Sequence, residues 1–422
     1  MSAVKVISDR IFKSKQNKGN ISRPIVKIGI IGIAIGLAVM ILTVSIVLGF
    51  KHEITKRITG LTTDIAISNI TINPGNEPEP IRICDDTLAK IKALDFVEHV
   101  QATTFKNGLL KTDTENEGVL LKGVDKNYDF KFLKDHLVGG SLPNLLGAEA
   151  GKDILISQSL ADKLNLKLND KVSIYFLSQH DVIDSVSGLT VRQSEQRSRK
   201  FSVCGIFKTD FTDFDEKLSL VDIRHLQKIN YWDSCMVGNY EIKVKRFEDV
   251  DANLEAMKDL MGYKYSVNSV KEIYANIFIW LEKLDVNGVI IVVLMILVAT
   301  INMITALLIL ILERTNMIGL LKSLGMTNAS VRNIFLRLSY RLIGRGMLWG
   351  NIVGISLCLL QYYFKWVKLD GETYYVNYVA IQINWLYIVL LNIGTFLVCA
   401  LMLLLPTLIL SRLTPLKTLN FD

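Results

Sequence analysis

Val286–Leu312 reads VNGVIIVVLMILVATINMITALLILIL, 27 residues without a Lys, Arg, Asp or Glu, and Glu313-Arg314 closes it. An α-helix rises 1.5 Å per residue, so roughly 20 apolar residues cross the ~30 Å hydrocarbon core of a bilayer. Ile28–Phe50, Met347–Phe364 and Asn384–Leu410 are three further runs of the same kind. Four such runs in 422 residues, half of them hydrophobic, describe a membrane protein with four transmembrane α-helices. They exclude a purely cytosolic enzyme and a secreted protein.

The net charge of +7 divides unevenly along the chain. Residues 51–285 hold 31 Lys/Arg against 36 Asp/Glu, and the remainder 17 against 5. The basic excess therefore lies on short segments beside the apolar runs. Nucleic acid requires a basic face on a folded domain, and the only large soluble segment is mildly acidic, so no nucleic-acid partner is expected. Lys5, Arg10, Lys13, Lys15, Lys18, Arg23 and Lys27 precede the first run; Arg314, Lys322, Arg332, Arg337, Arg341 and Arg345 lie between the second and third. Short loops rich in Lys and Arg stay in the cytoplasm. The N-terminus (1–27, with an amphipathic start at Ile7–Lys15), the 313–346 segment and the 411–422 tail are thus expected inside, and 51–285 and 365–383 outside. The first run is longer than a signal-peptide core of about 7–15 residues and lacks an Ala-x-Ala site after Phe50, so it reads as an uncleaved anchor.

Residues 51–285 read as an α+β domain, with room for two subdomains. Strands are expected at Asp64–Ile72, Val97–Ala102, Gly118–Val124, Asp153–Ile156, Lys171–Phe176, Phe201–Phe207, Leu218–Val221 and Tyr240–Val244, with helices at Asp86–Leu94, Ser157–Leu166, Asp222–Ile229 and Val250–Met261. Ser178–Lys200 reads as a 23-residue loop between two strands, with Val182, Ile183, Val186, Leu189 and Val191 set among polar residues. Such insertions are functional or disordered; a mobile surface hairpin is the plain alternative. Ile273–Asp285 forms an amphipathic stalk leading into the second span. Continued to Leu312 as one helix it would be about 60 Å long, unless Asn287-Gly288 breaks it. Cys84, Cys204 and Cys235 are odd in number and widely spaced and give no disulfide framework; buried free thiols are the expected state, and one pair in an oxidising compartment is the alternative.

The chain carries no sequence pattern of a known catalytic site. It has no GxxxxGK[ST] phosphate loop, no HExxH, no metal-ligand spacing among His52, His99, His136, His180 and His225, and no GxSxG. Paired acids such as Asp85-Asp86 read as helix caps or a solvated face. No charge lies within the spans, which argues against an ion pathway, and Asn302, Asn392, Thr300 and Ser356 read as interhelical hydrogen bonders. The chain is expected to be no enzyme, with no cofactor or metal of its own. Gly32 and Gly36, and Gly346, Gly350 and Gly354, form small-residue rows that suit either packing within the chain or a dimer interface.

The order of parts, one span, a large outer domain, then three spans with a basic segment after the second, resembles the FtsX/MacB-type permease superfamily of ABC transporters. Glu313–Met326 (ERTNMIGLLKSLGM) resembles its ERxxxIGxL(K/R)xLG signature, and Leu413–Leu419 (LTPLKTL) its closing SPxxALR motif. Ile154–Val172 (ILISQSLADKLNLKLNDKV) is similar to its I-x-S-x-x-LA-x-x-L-x-L-x-x-GD-x-V element. Two departures stand out: Met317 occupies a position where the superfamily usually has an acid, and Asn169-Asp170 replaces Gly-Asp. The junction Val47-Leu48-Gly49-Phe50-Lys51-His52-Glu53 resembles the lipoprotein-releasing (LolC/LolE-like) branch.

The resemblance implies an inner-membrane permease that works mechanically and does no chemistry itself. A separate cytoplasmic ABC ATPase, holding ATP and Mg, would dock on Glu313, Arg314, Ile318, Gly319, Leu320, Leu321, Lys322, Leu324 and Gly325. The second span would carry the movement outward. Lipoproteins would pass from membrane lipid to a periplasmic carrier held by the 178–200 segment as a hook. A second copy or a paralogue would complete a dimer. An FtsX-like scaffold regulating a cell-wall hydrolase, and a MacB-like efflux permease, remain the alternatives within the same superfamily.

Overall fold

A computed structural model describes residues 22–70, 77–112, 115–183, 190–313 and 315–403. They form two compact units. A helical unit takes the chain up to His52, Trp280–Lys368, and the chain from Tyr378 onward; a sheet unit takes Glu53–Ile279 and Leu369–Asn377.

Among the described residues, four helices are long and apolar enough to span a membrane: Ser22–Leu61, Ala275–Glu313, Asn328–Phe364 and Trp385–Met402. Their boundaries differ from those read off hydropathy, because a helix does not stop where its apolar face does. The first helix runs eleven residues past Phe50, through Lys51, Glu53 and Arg57. The third begins at Asn328, where the Thr327 hydroxyl accepts the Ser330 N–H, so much of the expected 313–346 loop is helical. The fourth is described only to Met402, and Leu403 ends the described chain. The stalk starts at Ala275 and not at Ile273. Ser269 and Glu272 form a capping box that nucleates a separate turn over Val270–Ile273, and Tyr274 leaves helical geometry at φ −107° and ψ 39°. From Ala275 the helix passes through Gly288 unbroken for 39 residues, about 58 Å.

The glycine rows pack within the chain. A Cβ on Gly32 would lie 2.7 Å from Asn302 on the second spanning helix. At Gly346, Gly350 and Gly354 a Cβ would come within 2.8, 2.9 and 3.1 Å of Ile33, Ala34 and Ala38, all on the first. Gly36 is looser, with Ala299 at 3.5 Å. Asn351 and Asn392 exchange two side-chain hydrogen bonds of 2.7 and 2.9 Å between the third and fourth helices. Their amides thereby satisfy each other in an apolar setting.

The sheet unit carries β1 Ile65–Ser68, β2 Val97–Lys111, β3 Asn116–Val124, β4 Leu137–Gly140, β5 Asp153–Ser157, β6 Lys171–Ile183, β7 Thr190–Phe207, β8 Leu218–Asp222, β9 Asn239–Val244 and β10 Ser266–Ser269. Their order is β10-β1-β9-β2-β3-β8-β5-β7-β4, with β6 pairing β2 and β7. β3–β8 and β5–β7 are parallel pairs, so the sheet is mixed. β2 is longer than its expected Val97–Ala102 because it serves three neighbours: residues 97–103 pair β9, 103–111 pair β3 and 109–111 pair β6. It thereby joins two hydrophobic cores. One gathers Ile65, Val100, Ile242 and Met257, the other Leu121, Ile156, Phe176 and Val203.

In the strand–turn–helix element Ile154–Val172, the Ser157 hydroxyl accepts the Leu160 N–H at 3.1 Å, and Leu160, Ala161 and Val172 are buried. Asn169 sits at φ +69°, the left-handed region where glycine is the default and asparagine the next choice. That explains how Asn-Asp stands in for Gly-Asp here.

Candidate functional site

Three regions of the described chain bear on function.

The first is a cleft of about 530 Å³ in the helical unit. Val47 comes from the first helix, Gly288 and Val292 from the second, and Tyr387 and Leu391 from the fourth. Gly288 matters by what it lacks: its missing side chain leaves room where a Cβ would meet Val47 at 3.2 Å. The walls are apolar apart from one ion pair on the lining, Lys51 Nζ to Asp285 Oδ2 at 2.7 Å. Beside it Phe50 and Trp280 meet edge to face, with centroids 6.4 Å apart. A cleft of this size falls in the range that holds a small ligand, and hydrocarbon suits its walls. The sequence reading took Lys51 and Asp285 as the ends of the outer segment and missed the pair. The available signal was that they flank two successive apolar runs with opposite charge.

The second surface is the segment expected to dock an ATPase. Thr315–Ser323 is a helix of its own. It ends in a turn in which Gly325 N–H bonds Lys322 O and Met326 N–H bonds Leu321 O, at 3.0 Å each. Gly325 sits at φ +90°, so the glycine of the motif is the residue that permits this cap. The expected docking set then divides. Ile318 and Gly319 are buried, Ile318 in a core with Leu307, Val331 and Phe335. Leu320 and Leu324 are 56 % and 76 % exposed. Leu321 and Lys322 are half-buried, Glu313 is exposed, and Arg314 lies outside the described residues. The motif thus contains a face that builds the fold and a face that leaves two leucines exposed.

The third is the expected loop at 178–200, which is strand at 178–183 and at 190–200. β6 and β7 pair residue for residue from Lys171–Ser202 out to Ile183–Thr190. Val182 pairs Val191, and Asp181 stands opposite Arg192. Val182, Ile183 and Val191 are therefore strand residues; Val186 and Leu189 lie outside the described residues.

A fourth cluster, absent from the sequence reading, concerns how the sheet unit takes up the end of the first helix. Lys122 Nζ donates to the carbonyl of Leu61, the helix's last residue, at 2.7 Å and pairs Glu241 at 2.8 Å. Gln101 donates to the same carboxylate at 2.8 Å, and the rings of Phe105 and Tyr128 lie 5.5 and 5.1 Å from the ammonium. A cation on a helix C-terminus satisfies orphan carbonyls and meets the negative end of the dipole. Burial pushes the Lys122 pKa down, and Glu241 opposes it. Nearby, burial raises the Asp64 carboxyl to about 6 despite the Val244 N–H it accepts at 2.8 Å. Among the described residues, no group of three or more His, Cys, Asp or Glu is arranged to hold a metal.

Residues 28–260 match the MacB-like periplasmic core domain, and 289–415 the FtsX-like permease C-terminal region. "Lipoprotein-releasing system transmembrane protein LolC" of Xylella fastidiosa is 24 % identical over 98 % of this chain and 97 % of its own. The protein of Haemophilus influenzae named LolE in the same system is 22 % identical over 98 % of each. The periplasmic region of MacB from Actinobacillus actinomycetemcomitans aligns with 52 % of this chain and 95 % of its own, at 14 % identity and a TM-score of 0.33.

Proposed function

Because this chain belongs to the family built from a MacB-like periplasmic core domain and an FtsX-like permease region, we propose that it is the non-catalytic membrane subunit of an ABC transporter that releases lipoproteins from the inner membrane. The substrate class follows from relatives named for lipoprotein release that align nearly end to end with it. The observation that carries the reading is the cleft: an apolar recess among three spanning helices, with one ion pair on its lining, accepts acyl chains and offers charge to a polar headgroup. Each buried CH₂ is worth about 0.8 kcal/mol. Extraction of a triacylated anchor therefore needs an external motor and an apolar receiver.

The motor is a cytoplasmic ABC ATPase, which binds the ATP and Mg and docks on Leu320 and Leu324. Its closure moves the 39-residue second helix, and the sheet unit on the periplasmic side passes the lipoprotein to a soluble carrier gripped by the β6–β7 ribbon. Both termini are cytoplasmic, and a second copy or paralogue completes the dimer. Mild-detergent purification of the tagged chain with mass spectrometry tests this. An ABC ATPase together with triacylated lipoproteins is the expected result; an ATPase with a peptidoglycan hydrolase and no lipoprotein would replace it with the scaffold reading.

A further inference from the structure

The connection between the third and fourth spans reads in sequence as a short outer loop, 365–383. In the structure its middle, Leu369–Asn377, belongs to the sheet unit. It is a built element. Leu369 N–H bonds Asn377 O at 3.0 Å and closes its base, Asp370 Oδ2 accepts the Thr373 hydroxyl at 2.7 Å, and Gly371–Tyr374 forms one helical turn. Gly371 allows the base to close, since a Cβ there would fall 2.3 Å from Asn377 Oδ1.

This element is fixed on the turn 209–215. Asn377 Nδ2 donates to Asp210 Oδ1 at 2.8 Å, and the Tyr375 ring stacks on the buried Phe211 with centroids 5.4 Å apart and planes 19° apart. The turn is itself rigid. Asp215 accepts both the N–H and the hydroxyl of Thr209 and the N–H of Asp210, and Asp210 is held at φ +57°. Asp210 has two more partners: its Oδ1 also pairs Lys208 Nζ at 3.1 Å, and its backbone carbonyl accepts Arg57 Nη1 at 2.7 Å. Arg57 lies in the last turns of the first helix, buried, with Glu53 taking its remaining fork at 2.9 and 3.1 Å. One residue therefore joins the connection of spans three and four to the end of span one.

We propose that Asn377, Tyr375 and Asp210 are positioning residues that make Leu369–Asn377 a third anchor of the sheet unit, beside its two covalent helices, and that the transport stroke is transmitted through this node. The inference rests on the lipoprotein-release reading for what is transmitted, and on the contacts alone for the anchor. A structural clip and a working coupling differ in what they move. Loss of a clip lowers stability; loss of a coupling separates ATP hydrolysis from transfer.

Two measurements on the full chain test it, with its ATPase copurified and Cys84 and Cys235 replaced by Ser. First, Asp210→Cys with Asn377→Cys should form a disulfide on mild oxidation in membranes, both without nucleotide and with ATP trapped. Absence of the cross-link in either state overturns the anchor. Second, Asn377→Leu with Tyr375→Ala should reduce ATP-driven release of a triacylated model lipoprotein at least tenfold while ATP hydrolysis stays within twofold. Asp210→Asn, which keeps an acceptor oxygen and tolerates positive φ, should release at the wild-type rate. Release unchanged in the double variant, or lost equally with hydrolysis, overturns the coupling. If the wild-type complex releases no lipoprotein, the transport reading fails, and the cross-link still judges the anchor.

Discussion

Two lysine–carboxylate pairs close at almost the same distance in this protein, yet their surroundings are opposite. Lys51–Asp285 (2.7 Å) lines the cleft with side chains 51 % and 42 % exposed, whereas Lys122–Glu241 (2.8 Å) is 1 % and 4 % exposed and holds a helix end as well. An exposed pair is worth little and exchanges readily with water or another charged partner. A buried pair holds its geometry, because losing one partner strands the other without solvation. The same chemistry thus gives one contact suited to opening around a ligand and one suited to fixing a joint.

The largest expected effect tests the fixed joint. Lys122→Ala should destabilise the full chain in detergent by about 3–5 kcal/mol, read as a fall in chemical-denaturation midpoint. Lys122→Met with Glu241→Leu should recover most of it. A loss below about 1 kcal/mol for the single change would place this pair with the surface pairs. Next come the exposed leucines of Thr315–Ser323 and its cap. Leu320→Asp with Leu324→Asp should cut ATPase copurification at least tenfold and leave the thermal midpoint unchanged, since neither side chain is buried. Retained copurification would remove them from the docking face.

A smaller effect concerns Asp64, whose folded carboxyl titrates at about 6 against an ordinary 3.8. A raised acid pKa favours the folded state while the group is protonated, so this contribution is complete below about pH 4 and is lost as pH rises through about 6. Wild type should lose about 1–2 kcal/mol more than Asp64→Asn between pH 4 and pH 7; parallel pH profiles would contradict that. Smallest of all, Lys51→Ala should change stability by less than about 1 kcal/mol. A loss as large as that of Lys122→Ala would erase the distinction between the two pairs.

The parts of the fold legible in sequence were those with an uninterrupted physical signal. The four apolar runs, the helix Val250–Met261 and the strand–turn–helix around Ser157 all appear. The β6–β7 ribbon was read as a loop because its outer part lacks the apolar alternation of a half-buried strand, and only cross-strand register defines it. β4 and β10, four residues each, were missed because so short a strand carries no period. The Glu313–Met326 motif was visible, but its division into buried Ile318 and exposed Leu320 needed the packing of Val331 and Phe335. Lys122, Glu241 and Asn377 were invisible for a simpler reason: their partners lie 61 to 167 positions away in the chain.

The most direct test of the central claim is reconstitution of the purified chain with its copurifying ATPase in vesicles carrying a triacylated lipoprotein. The measured quantity is lipoprotein leaving the membrane for a soluble apolar acceptor. Release that requires ATP and is blocked by a bulky substitution such as Gly288→Leu in the cleft is the predicted result. Lipoprotein that stays in the membrane while ATP is hydrolysed normally would contradict it.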